Sequence, residues 1–128
     1  MEECVFCQIV KGKLPSYKIY EDRDFLAFLD INPLALGHTL VIPKVHYRWV
    51  YDVPNFGAYW QVALQVTQVL QKVLQPYFIT YVTHGLEVKH AHIHIIPRSK
   101  NEIAFIPKKK KITPEKLQAL QVKISSAF

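Results

Sequence analysis

The sequence predicts an α+β domain in which a five-stranded antiparallel sheet, laid out as a meander, is covered on one side by a long helix, with short helices at the two ends. Two patterns carry this expectation. Short segments rich in β-branched and aromatic residues are set apart by turn residues, and one stretch between Asn55 and Pro76 repeats apolar positions at spacings of three and four. The 128 residues suit a single compact domain, since a chain of this size buries around two thirds of its unfolded surface.

The elements follow in order. Cys4 to Lys11 reads as a short helix, stopped by Gly12 and kept from resuming by Pro15. Tyr17–Tyr20, Phe25–Asp30 and His38–Pro43 read as strands, divided by Glu21-Asp22-Arg23-Asp24 and by Asn32-Pro33 with Gly37. Such short connections favour antiparallel neighbours. Asn55 can cap the long helix, whose Phe56, Trp60, Ala63, Thr67, Leu70 and Leu74 share one face and read as core. Two further strands are expected, about Tyr77 to Val82 and Val88 to Pro97. Thr113-Pro114 starts a last helix with Leu117, Leu120 and Ile124 along its apolar edge.

The net charge is +6, and most of the excess lies beyond His94, in Arg98, Lys100, the run Lys108-Lys109-Lys110-Lys111, Lys116 and Lys123. From about residue 99 the chain reads as a basic extension of one domain spanning 1–128. A run of this kind is read as a solvated surface rather than a nucleic-acid site, though it would attract phosphates locally. No apolar run approaches the ~20 residues of a membrane span. The acidic start Met1-Glu2-Glu3-Cys4 lacks the layout of a secretion signal, which places the protein in the cytoplasm. Two cysteines there do not make a disulfide scaffold. At CxxC spacing, Cys4 and Cys7 are half a zinc site, a redox pair or two unligated thiols.

The chemistry concentrates in His90-Ala91-His92-Ile93-His94. On an extended strand alternate side chains share a face roughly 6.6 Å apart, so the three imidazoles would line one face while Ala91, Ile93 and Ile95 pack on the other. Scattered histidines are ordinarily surface residues. Three on one face of an apolar strand can border a single phosphate group instead.

The stretch His90-Ala91-His92-Ile93-His94-Ile95-Ile96-Pro97-Arg98 resembles the defining motif of the histidine triad (HIT) family. Cys4-Val5-Phe6-Cys7-Gln8-Ile9, Phe28-Leu29-Asp30-Ile31-Asn32-Pro33 and Gly37-His38-Thr39-Leu40-Val41-Ile42-Pro43-Lys44 resemble its other signature stretches, in the same order. The resemblance runs from about Cys4 to Arg98. It implies a HIT-like fold and a purine nucleotide substrate, with His92 attacking the α-phosphorus to give a nucleotidyl-histidine that water hydrolyses. A neutral imidazole suits that role, because it is nucleophilic near pH 7 and splits one displacement into two. His94 would hold the phosphate oxygens, His38 would support the site, and His90 completes the triad. The resemblance also assigns Val5, Phe6, Ile9, Phe28 and Ile31 to the base, Asp30 to the ribose, and Glu87 and Val88 to the substrate side of the triad. Asp30 alone would read as a turn residue before Asn-Pro. By the same resemblance a structural zinc would be held by Cys4, Cys7, His46 and His90, and two copies would join their sheets edge to edge, each C-terminal segment reaching towards the partner's pocket.

Two positions depart from the family pattern. Leu86 stands where a glutamine usually contacts the scissile phosphate, and Glu87 where a small hydroxyl residue is often found. The competing functions are hydrolysis or transfer of nucleotide phosphoramidates, cleavage of dinucleoside polyphosphates, nucleotide binding without turnover, and a zinc protein holding nucleic acid through Lys108 to Lys111.

Overall fold

The computed structural model describes residues 4–128; Met1, Glu2 and Glu3 of the acidic start lie outside them. The elements are α1 (Val5–Val10), β1 (Tyr17–Glu21), β2 (Phe25–Leu29), β3 (Thr39–Pro43), α2 (Phe56–Leu74), β4 (Phe78–Val82), β5 (Ile93–Arg98) and α3 (Pro114–Ser125). A short 3₁₀ turn at Val50–Asp52 precedes α2. The α+β class and the five-stranded antiparallel sheet agree with the sequence. The strand order does not stay a meander: it is β1-β2-β3-β5-β4. After α2 the chain re-enters at the open edge, so β4 forms the rim and β5 turns back to pair with β3, Leu40 opposite His94 and Val41 opposite Ile93.

Strand alternation divides the core between two faces. Phe25, Ala27 and Leu29 of β2, Val41 of β3 and Ile93 and Ile95 of β5 face α2 and α3, joining Tyr59, Val62, Ala63, Val66 and Leu70, and Leu117, Leu120 and Ile124. Leu26 and Phe28, with Leu40 and Ile42, face the other way and pack on Phe6 and Ile9 of α1. The central strands β2 and β3 are therefore buried on both faces, which is why they read as continuous apolar runs.

The buried stripe of α2 keeps Ala63, Thr67 and Leu70 as expected but is turned towards Tyr59, Val62 and Val66. Phe56 is exposed, while Tyr59, Val62 and Val66 are buried. Tyr59 sets this rotation: its ring stacks on Phe25 with centroids 5.2 Å apart, and its hydroxyl donates to the Val41 carbonyl at 2.7 Å. Among the described residues no helix is long and apolar enough to cross a membrane.

The strand expected over Val88 to Pro97 begins only at Ile93. Residues 86–92 form an irregular segment that pairs elsewhere, Ala91 N–H donating to the Tyr47 carbonyl at 2.7 Å. Gly85, at φ +78°, turns the chain into this segment, and Arg48 Nη1 holds the Gly85 carbonyl at 2.8 Å.

Candidate active site

The alternation holds, with Ala91, Ile93 and Ile95 in the core beneath α2 and α3 and the three histidines on the opposite side, but only one of them is on a strand. His94 lies on β5, whereas His90 and His92 precede it. His90 and His92 both make ring contacts with Phe6 of α1, but His90 joins the two thiols and His46 while His92 and His94 line a cavity, so the alternation feeds two sites rather than one.

The first site is a cavity of about 440 Å³ between α1 and the second face of the sheet. Val5, Phe6, Ile9, Phe28, Asp30, Ile31, His38, Glu87, Val88, His92 and His94 all line it, so eleven of the residues picked from sequence converge there. His90 does not line it. Apolar groups from α1 and β2 form one end, and the imidazoles with Asp30 and Glu87 form the polar remainder. Asp30 serves the turn as well as the cavity: Oδ1 accepts from the Asn32 amide at 2.8 Å, and Oδ2 lies 3.6 Å from His38 Nε2.

Hydrogen bonds fix the tautomers. A carbonyl only accepts, so His92 Nδ1–H must donate to the His90 carbonyl, 2.7 Å away. In the neutral ring this leaves the lone pair of His92 on Nε2. His38 Nδ1 accepts from the Leu34 amide at 3.0 Å, so its proton sits on Nε2 and points at His94 Nδ1, 2.9 Å away. His94 Nδ1 accepts that bond, which puts the proton of neutral His94 on Nε2. The site therefore holds a nucleophilic nitrogen on His92 beside an N–H donor on His94, with ring centroids 4.9 Å apart.

Burial is the main reason that both supporting rings stay neutral near pH 7. It holds His38 below the ordinary imidazole range, partly offset by Asp30. Burial, then the neighbouring His38 and His92, pushes His94 down to about 4.

The second site joins Cys4, the N-cap of α1, and Cys7 to His46 and His90. The four sulfur-to-nitrogen separations are 3.3 to 3.5 Å, both sulfurs to both Nδ1 atoms. Zinc bonds to sulfur and nitrogen at tetrahedral angles place such atoms about 3.5 Å apart. His90 Nε2–H donates to the Pro43 carbonyl at 2.8 Å, leaving Nδ1 free to face the thiols, as a metal-binding histidine requires. The donor set fits a closed structural zinc site.

Sequence reading missed Lys109 and Ser16, both of which line the cavity. Lys109 arrives because Lys110 N–H donates to the Pro33 carbonyl at 2.7 Å. That path is set by Arg98, 3% exposed, whose guanidinium donates to Thr80 and to the carbonyls of Glu102 and Ala104. Ser16 Oγ is buried without a hydrogen-bond partner. Leu86, the departure from the family glutamine, does not line the cavity and is 62% exposed, so it is not a packing residue.

Fold and site together define a histidine triad protein. The chain matches the HIT domain model over residues 11–101 and belongs to that family. It is 38% identical over 136 residues to an uncharacterised HIT-like protein of Borreliella burgdorferi, covering 98% of each chain. It is 36% identical over 111 residues to an adenosine 5′-monophosphoramidase of Saccharomyces cerevisiae, covering 80% of this chain and 67% of the yeast one. A zinc-bound histidine triad family protein of Mycobacterium smegmatis has a TM-score of 0.81 at 30% identity, covering 98% of this chain and 92% of that one.

Proposed function

We propose that this chain is a nucleotide hydrolase or nucleotidyl transferase that acts on purine nucleotide conjugates of the phosphoramidate type through a covalent nucleotidyl-His92 intermediate. The observation that carries the reading is the bond from His92 Nδ1–H to the His90 carbonyl, at 2.7 Å, which leaves the Nε2 lone pair for the cavity. In the first step Nε2 forms a bond to the α-phosphorus as the bond to the leaving amine breaks, and that nitrogen takes up a proton from water. In the second, water attacks the same phosphorus, the phosphorus–His92 bond breaks, and the nucleotide leaves with its proton lost to solvent. His94 Nε2–H donates to the phosphate oxygens throughout, where charge builds in both transition states. His90 acts through its backbone, and His38 orients His94. The base lies among Val5, Phe6, Ile9, Phe28, Ile31 and Val88, and Asp30 accepts from the ribose hydroxyls.

Cys4, Cys7, His46 and His90 would hold zinc, which ties α1 to the sheet and takes no part in the steps above. The zinc-bound mycobacterial protein supports the zinc assignment, and the similar yeast phosphoramidase supports the phosphoramidate reading. We place the reaction in the cytoplasm, where both thiols stay reduced. A homodimer is proposed through β4, the open rim of the sheet, on which Phe78 and Tyr81 are exposed.

The test is release of mononucleotide from an adenosine 5′-phosphoramidate and from a dinucleoside polyphosphate by wild type and His92→Ala, with mass spectrometry for the nucleotidyl adduct. Turnover that survives His92→Ala sinks the covalent reading. Tight mononucleotide binding with no turnover of either compound would leave a binding protein.

A further inference from the structure

We infer that Glu87 selects the leaving group by charge, admitting conjugates whose tail beyond the α-phosphate carries an ammonium group and disfavouring those whose tail is anionic. This rests on reading the cavity as a nucleotide site.

One carboxylate oxygen of Glu87 and one nitrogen each of His92 and His94 lie within 4.8 Å of one another. With both Nδ1 atoms already bonded, Nε2 is the nitrogen each ring presents. His94 Nε2 carries a proton in this tautomer, so the trio is a donor, a nucleophile and an anion rather than three metal-binding lone pairs. A phosphoryl group touching both rings lies within reach of that carboxylate, and in this reading its leaving substituent lies on the Glu87 side. In-line attack requires that substituent to lie across phosphorus from His92, and any tail it carries runs out of the cavity past the exposed end of Glu87.

Nothing else claims the carboxylate. Among the described residues no cation forms a salt bridge with Glu87, unlike Glu21 and Glu102, which pair with lysines. The segment that carries it is fixed at Gly85 by Arg48 and at Ala91 by Tyr47, so the charge stays at the cavity mouth. Of the other charged residues that line the cavity, Asp30 and Lys109, Asp30 lies by His38, and among the described residues Lys109 forms no salt bridge with Glu87. Leu86, beside Glu87, offers no hydrogen-bond donor to an anionic leaving group. An unpaired carboxylate next to the scissile bond repels a second anion and attracts a cation, and exposure moderates both effects to about tenfold in all.

The experiment uses the full chain and two unreactive adenosine 5′-sulfamate analogues that differ only in an ammonium or a carboxylate at the end of one short tail. Calorimetry gives the ratio of their dissociation constants for wild type, Glu87→Gln and Glu87→Lys. The ammonium analogue should bind wild type about tenfold more tightly; Glu87→Gln should bring the two close to equal, and Glu87→Lys should reverse the order. High salt should compress the wild-type ratio. A ratio that is the same in all three proteins overturns the proposal, as does a wild-type preference for the carboxylate. Because binding is measured without turnover, failure of the covalent reading would appear separately, as an inert wild type that still discriminates by charge.

Discussion

His38 Nε2 donates to His94 Nδ1 at 2.9 Å, and the direction of that bond is decided by the Leu34 amide on the far side of the His38 ring. A backbone N–H thus dictates, through two imidazoles, that His94 offers a proton to the cavity. The proposed mechanism makes His38 a positioning residue, so His38→Ala should lower kcat/KM on the order of tenfold to a hundredfold while KM changes little. His38→Gln, whose amide can still donate to His94, should recover part of the loss. Equal loss in both variants would show that His38 contributes only packing. Steady-state kinetics on an adenosine 5′-phosphoramidate decides this.

The same burial that keeps His38 and His94 neutral makes the fold sensitive to acid. Both groups have folded-state pKa values below the unfolded value of 6.5, His94 at about 4. Between about pH 6.5 and 4 the unfolded chain therefore binds more protons than the folded one, and stability falls as pH falls through that window. Above pH 6.5 these two rings contribute no slope. Urea unfolding at a series of pH values should show the midpoint dropping from pH 6.5 towards 4, with a shallower drop for His94→Asn. An unchanged slope in that variant would remove His94 as a source.

Much of this site was legible in the chain before any coordinates. The CxxC and the alternating histidines are legible because their spacing is local, a matter of a few residues, whereas Asp30 alone reads as a turn residue and owes its ribose role to the family resemblance. Alternation places Ala91, Ile93 and Ile95 in one core and the histidines opposite, although His90 and His92 lie outside β5 and face different neighbours. What the sequence hid depends on distant pairings. Lys109 reaches the cavity through a bond to Pro33, and the reversed order of β4 and β5 follows from which edge the chain meets after α2. Neither leaves a periodic trace in the sequence.

Removal of metal should loosen the N-terminus first. Cys4 caps α1 and Cys7 sits in its first turn, so a zinc bridge to His46 and His90 would fasten that helix, and with it Phe6 and Ile9, over the cavity. Free zinc at a hundredfold above its dissociation constant adds about 2.7 kcal/mol to stability, roughly 10 °C in Tm for a domain of this size. A strong chelator, or Cys4→Ser with Cys7→Ser, should lower Tm by about that amount and weaken nucleotide binding. Calorimetric scans beside metal analysis by mass spectrometry check it; an unchanged Tm in protein shown to have lost zinc would refute the fastening role.

Lys109 and Lys108 are neighbours in one basic run, yet only Lys109 lines the cavity. Lys109→Ala should weaken mononucleotide binding about threefold, the scale of one exposed charge contact, and the deficit should shrink as salt is raised. Lys108→Ala should change neither. Equal effects from the two substitutions would mean that the run acts as a diffuse field and not through a placed side chain.

Gly37 supplies the sharpest test of how the fold holds the site. Its φ of +83° is a conformation that side-chain-bearing residues rarely adopt, and a Cβ there would meet Leu74 Cδ1 at 2.4 Å. Gly12 has a similar φ, +75°, with nothing within 4 Å of an added Cβ. Gly12→Ala therefore measures the backbone penalty alone, about 1–2 kcal/mol. Gly37→Ala adds the clash, and because the tip of Leu74 can swing aside, the extra cost should be about 1 kcal/mol. Gly37 also sets the start of β3, and His38 follows it directly. A shift of the backbone at Gly37 moves the His38 ring off the Leu34 amide that orients it. Gly37→Ala should accordingly lose kcat/KM beyond its loss of stability when assayed well below its Tm, whereas Gly12→Ala should keep wild-type kinetics. Urea unfolding and kinetics on the same preparations decide both halves, and equal destabilisation by the two alanines would show that Leu74 does not press on this turn.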